Sequence, residues 1–155
     1  MTNGMREGIS REIAKALERA AVRGREAPSE EILPIYDRIQ ESFLPMLSGN
    51  FPLILELRRR VAEWKLLLLS ERNRSREEVV PLFEAVRELG FSTPEREATI
   101  TIGYAKYLLR TGEPEEAKAL LEKLAHQLDQ IIEAEDVKVY RELRQHVTLL
   151  LQSQA

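Results

Sequence analysis

The sequence predicts an all-α fold of about seven helices, and three observations carry that prediction. Apolar residues recur at intervals of three and four along nearly the whole chain, the spacing of one buried helical face. Strand signals are almost missing: the one β-branched cluster, Thr99-Ile100-Thr101-Ile102, lies within a run that keeps helical spacing through Tyr104, Tyr107 and Leu108. The breaks between stripes are short and carry residues that stop or start helices.

Each helix follows from its own stripe. Ile9, Ile13 and Leu17 predict a helix over 6–24, and Ile32, Ile35, Tyr36, Ile39 and Phe43 one over 29–48. Ile54, Leu57, Val61, Trp64 and Leu68 predict 51–73; Val79, Leu82, Phe83 and Val86 predict 76–89. The β-branched run extends to a helix over 94–111. Ala117, Leu120, Leu121, Leu124 and Leu128 give 114–132, and Val137, Tyr140, Leu143, Val147 and Leu150 give 135–152. Ser75-Arg-Glu-Glu78 has the form of a capping box, in which hydroxyl and carboxylate satisfy the first orphan amides. Pro94 and Pro114 suit first-turn positions, where no amide donor is missed. Connections this short turn each helix back along its predecessor.

Composition narrows the function classes. The chain has 155 residues, 43% hydrophobic and 32% charged, a net charge of −3 and no cysteine. It fits a single helical domain over 1–155. Disulfide frameworks, cysteine-ligated metal centres and thiol catalysis are excluded. Residues 1–25 show no apolar export signal. The most apolar stretch, 51–69, is cut by Arg58-Arg59-Arg60, Glu63 and Lys65, whereas a membrane span needs ~20 mostly uncharged residues. A cytoplasmic location is the expectation.

Three helix starts share a pattern. Glu30-Glu31-Ile32-Leu33-Pro34-Ile35-Tyr36-Asp37-Arg38-Ile39 aligns without gaps to Glu77-Glu78-Val79-Val80-Pro81-Leu82-Phe83-Glu84-Ala85-Val86. Both align to the run from Glu115 to Leu124. Paired acids suit the positive end of a helix dipole. Proline at the same interior place in two copies is unexpected by chance, because it normally costs ~3 kcal/mol there.

The third copy carries a family resemblance. Tyr104, Ala105, Leu108, Gly112, Ala117, Leu121 and Leu124, with Thr111-Gly-Glu-Pro-Glu-Glu-Ala117 at the turn, resemble a tetratricopeptide repeat over residues 98–131. Thr101 replaces the family's aromatic, and Leu124 stands where a small residue is usual. The spacings from Ile32 to Val79 and from Val79 to Ala117 exceed the family's ~34 residues. The resemblance implies a right-handed α–α superhelix of three hairpins, with the helix over 135–152 as a cap. It also implies that Gly112 takes a positive φ and that Ala105 and Ala117 let two backbones approach. First helices of such pairs line a concave groove. The partner-binding residues it implies are Thr99, Ile102, Lys106, Leu109 and Arg110, together with Val61, Trp64, Leu68 and Arg72 from the preceding pair.

Catalytic chemistry finds little support. The two histidines, His126 and His146, each follow a glutamate by four residues (Glu122, Glu142), but a di-iron bundle site wants Glu-x-x-His and further inward carboxylates. No nucleophile elbow, P-loop, dinucleotide fingerprint, HExxH or EF-hand loop occurs. No catalytic site, metal or cofactor is expected. Charge says more. Residues 58–76 hold seven basic groups against two acids, and residues 113–142 hold nine acids against four bases. The basic stretch beside Trp64 suits an acidic peptide segment of another protein. The alternative is a regulatory protein contacting nucleic acid through Arg58–Arg60 and Arg72–Arg76; the acidic balance and the lack of interleaved aromatics disfavour it. Phe43, Leu44, Met46 and Leu47 offer a surface for a homodimer. The reading is a non-enzymatic protein–protein interaction module: an adaptor, a chaperone-like escort or an assembly factor.

Overall fold

A computed structural model describes residues 11, 12, 15, 18, 19, 29–43 and 52–153. Among them the fold is all-helical, with no strand. Six α-helices follow in order: α1 (Ser29–Arg38), continued by a π-helical turn Ile39–Phe43, α2 (Pro52–Glu71), α3 (Arg76–Leu89), α4 (Pro94–Arg110), α5 (Pro114–Ala134) and α6 (Lys138–Gln152). The bounds agree with the sequence reading to within a few residues. The described residues of the 6–24 stripe are helical and exposed, while Ile9, Ile13 and Leu17 lie outside the described set. So do Leu44, Met46 and Leu47 of the expected dimer surface.

The chain divides into two compact units, residues 1–92 and 93–155. In the first, α1 packs on α2 and α2 on α3. Its core gathers Tyr36, Ile39, Val61, Leu66, Leu69, Val79, Phe83 and Val86. Burial pushes the Tyr36 phenol up to about 12, so it stays neutral in the core throughout the physiological range. Pro34 and Pro81 both sit inside their helices, as aligned, and both face solvent. The π-turn begins five residues after Pro34.

In the second unit α4 packs on α5, α5 on α6, and α6 also touches α4. A helical repeat makes this pattern, with each new helix settling against both members of the preceding pair. Ala105 and Ala117 are fully buried, Gly112 has φ +83°, and no atom crowds the position of a Cβ there. The backbone conformation alone therefore demands glycine. Tyr104 and Tyr107 stack in the core with ring centroids 6.2 Å apart.

The caps partly depart from expectation. Ser75 precedes α3 with extended backbone, but its hydroxyl makes no bond to a first-turn amide; it donates to Glu78 Oε1 at 3.2 Å. Arg74 reaches the same carboxylate at 3.2 Å, which draws Glu78 outward from the helix end. The better cap is Thr93, whose Oγ1 accepts from the Arg96 amide at 3.1 Å, with Pro94 beginning the first turn behind it.

Candidate functional site

The basic stretch 58–76 is largely engaged in holding its own unit together. Arg59 lies half-buried on α2 and donates from Nε to the Leu89 carbonyl at 3.1 Å, capping the negative end of α3. One turn further, Glu63 is fully buried. Its carboxylate accepts from the Ser92 amide at 2.9 Å and from the Ser92 hydroxyl at 3.0 Å. Two side chains four residues apart thus grip residues 89–92 between a guanidinium and a carboxylate. Gly90 sits inside the grip with φ +89°, and a Cβ there would stand 3.2 Å from the Arg59 guanidinium. Arg60 pairs with Glu56 at 3.3 Å, Lys65 with Asp37, and Arg74 with Glu78; Arg72 and Arg76 also have partners.

The expected wall residues meet different fates. Val61, Leu68 and Ile102 are buried at 1%, 5% and 4% exposure, within the cores of their units. Trp64 is half-buried and Arg72 exposed in the first unit. In the second, Thr99 and Arg110 are exposed, and Lys106 and Leu109 half-buried. Thr99 returns its hydroxyl to the Glu95 carbonyl at 3.0 Å, a local bond that leaves its methyl outward. Tyr107, also considered as a groove residue, is fully buried.

One residue was missed. His146 on α6 is half-buried, and its pKa is lowered first by burial and then by the charge of Lys106 on α4. The two residues lie on the packed helices α4 and α6. Neither makes an ion pair among the described residues. Glu142, four residues before His146, pairs with Lys138 at 3.6 Å, and Arg144 pairs with Asp129 at 2.9 Å. His146 had drawn notice only as a remote metal ligand, because its register toward Lys106 depends on how α6 settles on α4.

Among the described residues no three His, Cys, Asp or Glu side chains converge as a metal site would require. His126 is exposed beside Gln130 at 3.3 Å, and Glu122 leans to Lys118 at 4.0 Å. Among the same residues no helix is long and apolar enough to cross a membrane. Compared with known proteins, the chain matches no protein family, no curated protein and no solved structure.

Proposed function

We propose that this protein is a non-enzymatic protein–protein interaction module, an adaptor or escort, acting in the cytoplasm, whose second unit receives an acidic segment of a partner protein. One observation carries the reading: the charge of Lys106 on α4 acts on the half-buried His146 of α6, and neither residue forms an ion pair among the described residues, in a part of the chain where acids outnumber bases. Burial first, and then the charge of Lys106, disfavour the His146 imidazolium; a visiting carboxylate would pair with Lys106 and favour the charged ring. Half-buried Leu109 adjoins Lys106 on α4 and would supply apolar contact, with exposed Arg110, which already has a contact of its own, beside it. The packing of α4 on α5, α5 on α6 and α6 on α4 is consistent with a helical repeat and supports the same face.

Nucleic acid is the weaker reading. Its cations would come from 58–76, where most are already paired or cap backbone carbonyls. Affinity capture from the source cell tests the proposal, comparing the native chain with a Lys106→Ala, Arg110→Ala variant and with a Trp64→Ala variant. The expected result is one protein lost by the double variant, with helicity unchanged, and retained by Trp64→Ala. Identical captures from all three would refute the wall.

A further inference from the structure

A second recess lies on a different side of the second unit. It opens where the start of α4 meets the end of α5 and encloses about 370 Å³. Pro94, Leu124, Leu128 and Ile131 form its apolar floor, and Glu97 and Gln130 stand at its rim. Leu124 and Leu128 are nearly inaccessible to water from outside, while Glu97 and Ile131 are half-exposed. The volume is within the range of pockets that hold a small ligand or a few side chains. On α4, Glu97 points some half-turn of the helix away from Lys106, so recess and wall are separate surfaces.

The electrostatics select the occupant. Glu97 makes no ion pair among the described residues, and Arg96, its neighbour in sequence, already has a contact of its own. The last turn of α5 carries no basic residue, so the carbonyl end of that helix adds negative potential beside the floor. Apolar contact inside and uncompensated negative charge outside are complementary to a basic amphipathic segment, with aliphatic side chains on one face and lysine or arginine beside them.

We infer that the recess between the start of α4 and the end of α5 is a docking site for a basic amphipathic segment of a partner protein, its aliphatic side chains on Pro94, Ile131 and Ala134 above the buried Leu124 and Leu128, and a cation on Glu97. The inference does not depend on the wall at Lys106 and His146; a segment seated here leaves that wall open.

A fluorescein-labelled amphipathic peptide of leucine and lysine, titrated by anisotropy into the full chain, tests the site. Saturable one-to-one binding is expected, weakened about tenfold by Glu97→Lys and by Gln130→Lys, since one reversed or added charge at a partly desolvated contact is worth about that factor. Glu122→Lys, which makes the same change of net charge as Glu97→Lys at an exposed place outside the recess, is expected to bind as the native chain does. A peptide with serine for leucine, or glutamate for lysine, is expected not to bind. Absence of binding overturns the inference. So does equal weakening by all three lysine variants, which would mean attraction by overall charge, or equal binding of the serine peptide, which would leave the apolar floor without a role. Gln130 and Glu122 are exposed, so their variants keep the comparison meaningful even if Glu97→Lys loosens the first turn of α4.

Discussion

The two units use their charged residues differently at the turns between helices. In the first, Arg59 and Glu63 reach from α2 to the backbone of residues 89–92, and Lys65 ties α2 to Asp37 of α1. In the second, the corresponding turn at 111–114 needs no such help. Gly112 turns the chain by its own positive φ, and the Glu113 amide closes it on the Leu108 carbonyl at 2.8 Å. Among the described residues Lys106 and His146 form no ion pair. A count of charges along the chain points to 58–76 as the binding stretch, yet the cations available to a visitor are in the unit whose sequence is the more acidic. Availability, rather than local excess, decides where a charge can act.

The contrast is sharpest at Glu63. Glu63→Ala removes two charge-assisted hydrogen bonds and leaves the Ser92 amide buried without them, and it is expected to destabilise the protein by about 3 kcal/mol in urea unfolding. Glu63→Gln, which keeps one acceptor, should lose about half as much. Glycine substitutions come next. Gly90→Ala is expected to cost about 2 kcal/mol, because it combines a strained backbone with the approach to Arg59. Gly112→Ala, strained but uncrowded, should cost about 1 kcal/mol. Equal costs would mean that the grip of Arg59 on residues 89–92 is loose in solution. Smaller again, Lys106→Ala should change stability by no more than about 0.5 kcal/mol, as a surface position without a fold role does, while removing partner binding.

The His146 titration gives the finest distinction. Its pKa is expected below the ordinary 6.5, and Lys106→Ala should raise it toward that value, measured by proton NMR of the ring. A lowered imidazole pKa means that the folded chain binds fewer protons than the unfolded chain just below pH 6.5. Its contribution to stability is therefore full above that pH and is lost as pH falls through the folded pKa. An unchanged pKa in the variant would separate the two groups and remove the basis of the wall.

Much of the fold was legible in the residues. Stripes at three and four, Pro94 and Pro114 at helix starts, and Gly112 after α4 act locally, so they are visible without the tertiary structure. Thr93 was just as local: Thr-Pro before an apolar run is a start signal, passed over beside the more conspicuous Ser75-x-x-Glu78 box. That box failed as a cap because Arg74 competes for Glu78. The roles of Arg59, Glu63 and His146 were hidden for another reason. Each is set by a partner about 30 or more residues away, and no spacing rule reports which side of a helix meets which turn. Ile102, Val61 and Leu68 show the same limit from the other side: carried over as groove positions, they are drawn into the core once the neighbouring helices close on them.

The most direct test of the account is amide chemical-shift mapping of the full chain titrated with an amphipathic peptide of leucine and glutamate. The prediction is that shifts concentrate at Lys106, Leu109, Arg110 and His146, and that the His146 pKa rises on binding as a carboxylate takes its place beside the imidazole. Shifts concentrated at 58–76 instead, or a peptide that leaves the His146 pKa where it was, would contradict it.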